Sequence, residues 1–164
     1  MKAKMKKLIS IKSIPILTLA LLVVLGSALA DGRDPVSGSG TALLDLAPPP
    51  GATGTATLTI GGGEPVQASF TLTMSSMAWK DGVLHITATH IFTLTGGTFT
   101  TTDKGIGEPT DENGLLTLNE NLTITGGTGV YEGACGELRV HGQVQFIDDT
   151  TANVSFDIRG AISR

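Results

Sequence analysis

The chain has few of the residues that cross-link small proteins or attract polyanions. Cys135 is its only cysteine, so no disulfide can form within the chain, and stability must come from packing and backbone hydrogen bonds. Five of the eleven lysine and arginine residues lie in the first 30 positions, which leaves six against fifteen aspartate and glutamate residues, a net charge of −9, in 31–164. Because an acidic surface repels phosphate backbones and anionic lipids, we expect neither nucleic acid nor a polybasic membrane contact as a partner.

Sequence motifs of several enzyme classes are also absent. The chain has no Gly-x-Ser-x-Gly elbow, and the glycines at 126–129 precede a strand pattern rather than the helix that a dinucleotide phosphate needs. His85 and His90 are five residues apart on a predicted strand, so they point to opposite faces and cannot share an ion. At Asp111 the order of a calcium loop is missing, so a turn is expected there in preference to a calcium site with Asp103. The sequence therefore predicts no cofactor and no metal.

The first 30 residues have the layout of a secretory signal peptide. A lysine-rich head precedes an apolar run at 14–25, and Ala28-Leu29-Ala30 supplies the small residues of a cleavage site. At about 1.5 Å per residue the run reaches roughly 18 Å, which is short of the roughly 30 Å of bilayer hydrocarbon. We expect cleavage after Ala30, a secreted or periplasmic protein, and no permanent membrane span; an uncleaved anchor is the alternative.

The remaining sequence has the two-residue period of β-strands and no convincing helical period. Residues 31–53 are rich in Gly, Ser and Pro and predict a flexible leader with one short strand at 41–47, whereas 54–164 predict a single all-β domain. Strands are expected at 54–60, 66–75, 83–95, 98–103, 115–125, 136–146 and 152–163. Seven or eight strands with short links form either a barrel or a sandwich.

Two polar side chains fall on strand faces that are otherwise apolar. Alternation places His90 on the inner face of one strand and Glu120 on the inner face of another, whereas His85 and His141 fall on outer faces. A buried carboxylate is costly, so Glu120 needs a hydrogen bond, a cation or a proton, and His90 is the obvious partner. Either the pair faces a small apolar ligand, or bulges turn both residues to solvent. The apolar residues expected around such a ligand are Phe70, Phe92, Leu118, Val144 and Phe156.

A glycine-rich corner at 126–136, here called the glycine corner, joins two alternating segments. It reads Gly126-Gly127-Thr128-Gly129-Val130-Tyr131-Glu132-Gly133-Ala134-Cys135-Gly136. With Phe156-Asp157-Ile158-Arg159-Gly160, it resembles the allene oxide cyclase-like and dirigent-like β-barrels. The resemblance implies an antiparallel barrel of about eight strands with an apolar cavity, often assembled as a trimer, and marks as fold-defining Gly126, Gly127, Thr128, Gly129, Tyr131, Gly133, Ala134 and Gly136. Cys135 is interpreted as a small apolar filler beneath the turn, in preference to a reactive thiol or a disulfide partner for another chain.

These observations lead to three hypotheses about function. The first is a secreted barrel that binds a small hydrophobic or amphipathic molecule in its interior, as a monomer or as a homo-oligomer such as a dimer or trimer. The second is a cofactor-free cyclase or isomerase that uses Glu120 and His90, which alternation and not the resemblance marks as inward-facing residues. The third is a non-catalytic oligomeric interaction or structural module, whose core would be packed solid. Binding is favoured over catalysis because only two inward side chains offer proton chemistry.

Overall fold

Eight antiparallel β-strands follow one another along the chain and close into a barrel in this computed structural model, which describes residues 32–111 and 114–164. Each strand pairs with the next, and the last pairs back with the first. The strands are β1 (Asp34–Asp45), β2 (Gly51–Ile60), β3 (Val66–Lys80), β4 (Val83–Leu94), β5 (Gly97–Pro109), β6 (Leu115–Gly129), β7 (Cys135–Phe146) and β8 (Thr151–Ser163). The expected all-β, eight-stranded antiparallel barrel is thus confirmed.

The predicted signal peptide at 1–30 lies outside the described residues. Within the described ranges, the chain contains no helix of the length and apolar character needed to cross a bilayer.

The expectation of a flexible leader before residue 54 is wrong, because β1 already begins at Asp34 and supplies the strand that closes the barrel. Glycine-rich composition predicted flexibility there, but the glycines serve close packing instead. A Cβ at Gly40 would lie 2.5 Å from Phe156 Cζ, so only a residue without a side chain fits beneath that ring. Val36 and Leu44 share the inner face with Gly40 and are buried.

The two ends of the barrel differ. The corner end carries the glycine corner and the turns after β2 and β4, and the mouth end carries the turns after β1, β3, β5 and β7. At the corner end the Tyr131 side chain folds inward over the barrel and lies 5.7 Å from the Phe99 ring, centroid to centroid. The buried side chains that close this end are Leu58, Phe99, Tyr131, Ala134 and Ile162.

At the mouth end, β3 runs past β2, because Gly51, the first residue of β2, pairs with Thr73 and β3 continues to Lys80. A bulge at Ser75 shifts the pairing of β3, and the Ser75 hydroxyl donates a hydrogen bond to the Thr87 carbonyl oxygen at 3.1 Å. Beyond the bulge the inner face of β3 carries Met77 and Trp79, opposite inward residues of β4. Both are exposed, at 42% and 57%, since they lie on the part of β3 that has no neighbour in β2. They form an apolar rim at the mouth.

The glycine corner allows a matched test of close backbone approach. Gly129 and Gly133 both have positive φ, 63° and 73°, but a Cβ at Gly129 would overlap the Gly96 carbonyl oxygen, whereas none of the neighbouring atoms lies within 4 Å of one at Gly133. We expect Gly133→Ala to lower the free energy of unfolding by about 1 kcal/mol and Gly129→Ala by roughly 2 kcal/mol. Urea denaturation followed by circular dichroism measures both, and equal losses would contradict the overlap.

Candidate functional site

The buried polar side chains of the described residues gather in one place inside the barrel. They are His90 on β4, Thr101 and Asp103 on β5, and Glu120 on β6, with exposures of 6%, 0%, 1% and 6%. Strand pairing explains the grouping, because Thr101 lies directly opposite His90 and Gly105, two residues beyond Asp103, lies opposite Glu120. Three consecutive strands therefore bring these groups to the same height in the lumen.

His90 is held by a carboxylate. The Nδ1 atom of His90 donates a hydrogen bond to Oδ2 of Asp103 at 2.9 Å, with both side chains almost wholly buried. The second carboxylate oxygen, Oδ1 of Asp103, is buried and has no partner, and neither has Oγ1 of Thr101. A carboxylate with one unsatisfied buried oxygen is costly, so this part of the lumen has an unused capacity to bind a hydrogen-bond donor or a cation.

Glu120 faces the same space from β6. Burial raises the pKa of its carboxyl from the ordinary value of 4.5 to about 7, an effect opposed by the charge of His90 and reinforced by that of Asp103. The side chain has room because its cross-strand neighbour is Gly105, where a Cβ would lie 3.2 Å from Glu120 Cγ. His90, Asp103 and Glu120 each offer a ligand atom, and these atoms all lie within 4.8 Å of one another.

A row of aromatic rings surrounds the polar cluster on its corner side. The His90 ring stacks on Phe92 and is tilted against Phe70, with centroids 5.4 Å apart in both cases. Phe92 stacks in turn on Phe99 at 4.7 Å, and Phe156 meets Phe70 edge-on at 5.7 Å. The rings fix the imidazole plane and exclude water from the corner side.

A cavity of about 60 Å³ lies against His90 and Glu120 on the mouth side. Its other walls are apolar and come from seven strands. They are Ala42, Leu44, Ala52, Phe70, Leu72, Met74, Ile86, Phe92, Leu118, Val140, Val144, Val154 and Phe156. A second cavity of about 20 Å³ shares Leu44 and Met74 with the first and extends to Met77 at the mouth end. The space inside the barrel therefore runs from the polar cluster toward the apolar rim.

The structure brings together the residues that the sequence predicts for an interior ligand site. Both His90 and Glu120 border the cavity, as do the five apolar residues Phe70, Phe92, Leu118, Val144 and Phe156. His85 and His141 are exposed, and Nδ1 of His141 is 2.8 Å from Oδ1 of Asn119 on the outer face. Bulges at Ser75 and Thr125 do exist, but they leave His90 and Glu120 inside.

The residues of the glycine corner lie away from this site, at the corner end. Tyr131 and Ala134 are buried there, and the Ala134 backbone N–H donates to the Tyr131 carbonyl oxygen at 3.0 Å. Cys135 is exposed, so its interpretation as an apolar filler beneath the turn is wrong. The reason is position: Cys135 opens β7 on the outward side, and Ala134 fills the space below.

Asp103 belongs to the interior cluster, although its sequence context does not predict this. The sequence predicts that a strand ends at Asp103. It offers Asp103 only as a calcium ligand together with Asp111, where a turn is expected instead. The signal was available in the alternation of Phe99, Thr101 and Asp103, which continues through Gly105 to Pro109 in β5. Threonines lie on both faces of β5, so only Phe99 identifies the inner face from the sequence.

A search of protein-family models and a search of curated proteins each found no match to this chain. The resemblance to allene oxide cyclase-like and dirigent-like barrels, which depends on the glycine corner, thus stays a prediction. Chemically, the interior cluster offers an imidazole held by a carboxylate and a second carboxyl group, all beside an apolar space. Such groups can orient a polar ligand atom, move a proton or coordinate a cation.

Proposed function

We propose that this barrel binds a small hydrophobic or amphipathic molecule in its lumen, as a dirigent-like or allene oxide cyclase-like barrel. The observation that carries the proposal is the interior cavity, which has apolar walls on nearly all sides and polar groups only at His90 and Glu120. Binding pockets for small molecules have this composition, with a few polar groups that fix orientation. An interaction module would have a solidly packed core, so the cavity supports binding in preference to that hypothesis.

The ligand enters from the mouth end in this proposal. The corner end is closed by buried side chains, whereas the mouth end carries the exposed Met77 and Trp79 above the second cavity. The polar head of the ligand lies at His90 and Glu120, the polar groups of the cavity. Because the cavities are smaller than most ligand pockets, the apolar part of the ligand displaces flexible side chains. Met74 and Met77 are suited to this, since methionine adapts to irregular spaces.

Narrowing the lumen tests the proposal. Ala52 lines the cavity, and its neighbour Thr53 points outward, so Ala52→Leu and Thr53→Leu place the same side chain on the inside and on the outside of the same strand. We expect N-phenyl-1-naphthylamine to gain fluorescence with the native protein, and Ala52→Leu to weaken its binding roughly tenfold while Thr53→Leu leaves it unchanged.

Circular dichroism and thermal melting show whether both variants keep the fold. Equal probe binding by two folded variants would overturn the proposal, as would a native protein that binds no apolar probe and carries no small molecule by native mass spectrometry.

A further inference from the structure

We propose that His90, Asp103 and Glu120 form a binding site for a divalent transition-metal ion inside the barrel. The sequence predicts no metal, because the two histidines of β4 point to opposite faces. The structure assembles a different set of ligands, one from each of three neighbouring strands, which no local sequence spacing reveals.

The distances within the cluster suit a shared ion. Two ligand atoms that each lie about 2.1 Å from a metal are about 3.0 Å apart at the octahedral angle of about 90° and about 3.4 Å apart at the tetrahedral angle. Nδ1 of His90 and Oδ2 of Asp103 are 2.9 Å apart, so an ion can take the place of the proton between them, which is released to solvent. A ligand atom of Glu120 lies within 4.8 Å of both, a gap that a side-chain rotation beside Gly105 can close.

An independent observation is the unsatisfied carboxylate of Asp103. Its Oδ1 atom is buried without a partner, in a side chain that is itself inaccessible to solvent. Natural proteins seldom leave such an atom unpaired, and a cation beside Asp103 supplies the missing interaction. Two buried carboxyl groups against one imidazole also leave the cluster with an excess of acidic ligands, which a divalent ion balances.

The chemistry of the ligands indicates which ion fits. One imidazole nitrogen and two carboxylate oxygens favour zinc, manganese or iron(II) over calcium, because calcium prefers six to eight oxygen ligands. Three protein ligands leave coordination positions open, and the cavity of about 60 Å³ beside His90 and Glu120 has room for water there. The site does not need the apolar ligand proposed above, so each can be tested without the other.

Zinc binding by the untagged protein tests the inference. After treatment with EDTA and dialysis, the protein is titrated with Zn²⁺ by calorimetry, and bound zinc is measured by elemental analysis after gel filtration. We expect about one zinc per chain, and at least roughly tenfold weaker binding by His90→Ala, Asp103→Asn and Glu120→Gln. His85→Ala and His141→Ala, which remove exposed imidazoles, are the matched controls and should bind zinc as the native protein does.

Cobalt(II) provides a readout of the ligands themselves. We expect a visible d–d spectrum in the native protein that is altered by Glu120→Gln, the variant that changes the side chain least and keeps its shape.

The inference is overturned if the native protein retains no zinc, or if folded Glu120→Gln and Asp103→Asn bind as tightly as the native protein. Loss of binding in His141→Ala alone would also overturn it, because the zinc would then lie on the surface. Zinc content does not depend on the apolar probe, so Ala52→Leu should keep it.

Discussion

Replacing Asp103 with alanine is expected to lower the free energy of unfolding by about 3 kcal/mol. The substitution removes one partner of a buried hydrogen bond that is 2.9 Å long, and leaves the imidazole of His90 without the group that holds it. It also opens a void where the side chain is inaccessible to solvent. Urea denaturation followed by circular dichroism, with EDTA present, measures the loss.

Two further variants show whether the pairing is the cause. Asp157 lies on the outer face of β8 and is exposed, so Asp157→Ala should change the free energy of unfolding by no more than about 0.5 kcal/mol. Replacing both His90 and Asp103 with leucine removes both hydrogen-bonding groups together and should cost less than Asp103→Ala alone. A double variant that loses as much as the sum of His90→Leu and Asp103→Leu would contradict a coupled pair.

The second large effect is a dependence of stability on pH through Glu120. Its pKa is about 7 in the folded, metal-free protein and 4.5 ordinarily, so the folded state holds this proton more tightly than the unfolded state does. The protonated Glu120 carboxyl therefore makes its full contribution to the free energy of unfolding below about pH 4.5. This contribution is lost as the pH rises toward 7. The loss amounts to about 3 kcal/mol.

Comparison of variants isolates this contribution from other titrating groups. Glu120→Gln stays neutral at every pH, so the difference in unfolding free energy between it and the native protein should grow between pH 4.5 and 7.5 in EDTA. Glu137→Gln, on the exposed outer face of β7, is the matched control and should run parallel to the native protein. Parallel curves for Glu120→Gln would show that its carboxyl is not buried in solution.

Side-chain alternation predicted much of the fold and part of the site. It placed His90 and Glu120 on inner faces because each is flanked at i ± 2 by apolar residues, and every strand expected from 54 onward overlaps an observed one. Glycine and Asp-Gly pairs marked the turns correctly because these residues accept positive φ, as Asp81 and Gly82 do at 53° and 79°.

What alternation could not supply is the arrangement of strands around the barrel. His90 and Glu120 are not on neighbouring strands, since β5 lies between β4 and β6, and Asp103 of that strand is the residue that contacts His90. Composition was also misleading for β1, where Gly38 and Gly40 resemble a linker by sequence alone. Their role depends on Leu58 of β2 and Phe156 of β8, which lie against them once these strands pair with β1.

The pairing of β1 with β8 has a consequence for association. Among the eight strands that the structure describes, each is hydrogen-bonded to two neighbours, so most of the sheet offers no row of unpaired N–H and C=O groups. The exception is the end of β3 from Ser75 to Lys80, which lies beside β4 but has no partner in β2. A second copy or an extended peptide can add a strand only there. Any homo-oligomer therefore forms at that segment with its apolar rim of Met77 and Trp79, or through outward side chains such as the serines and threonines of β1 and β2.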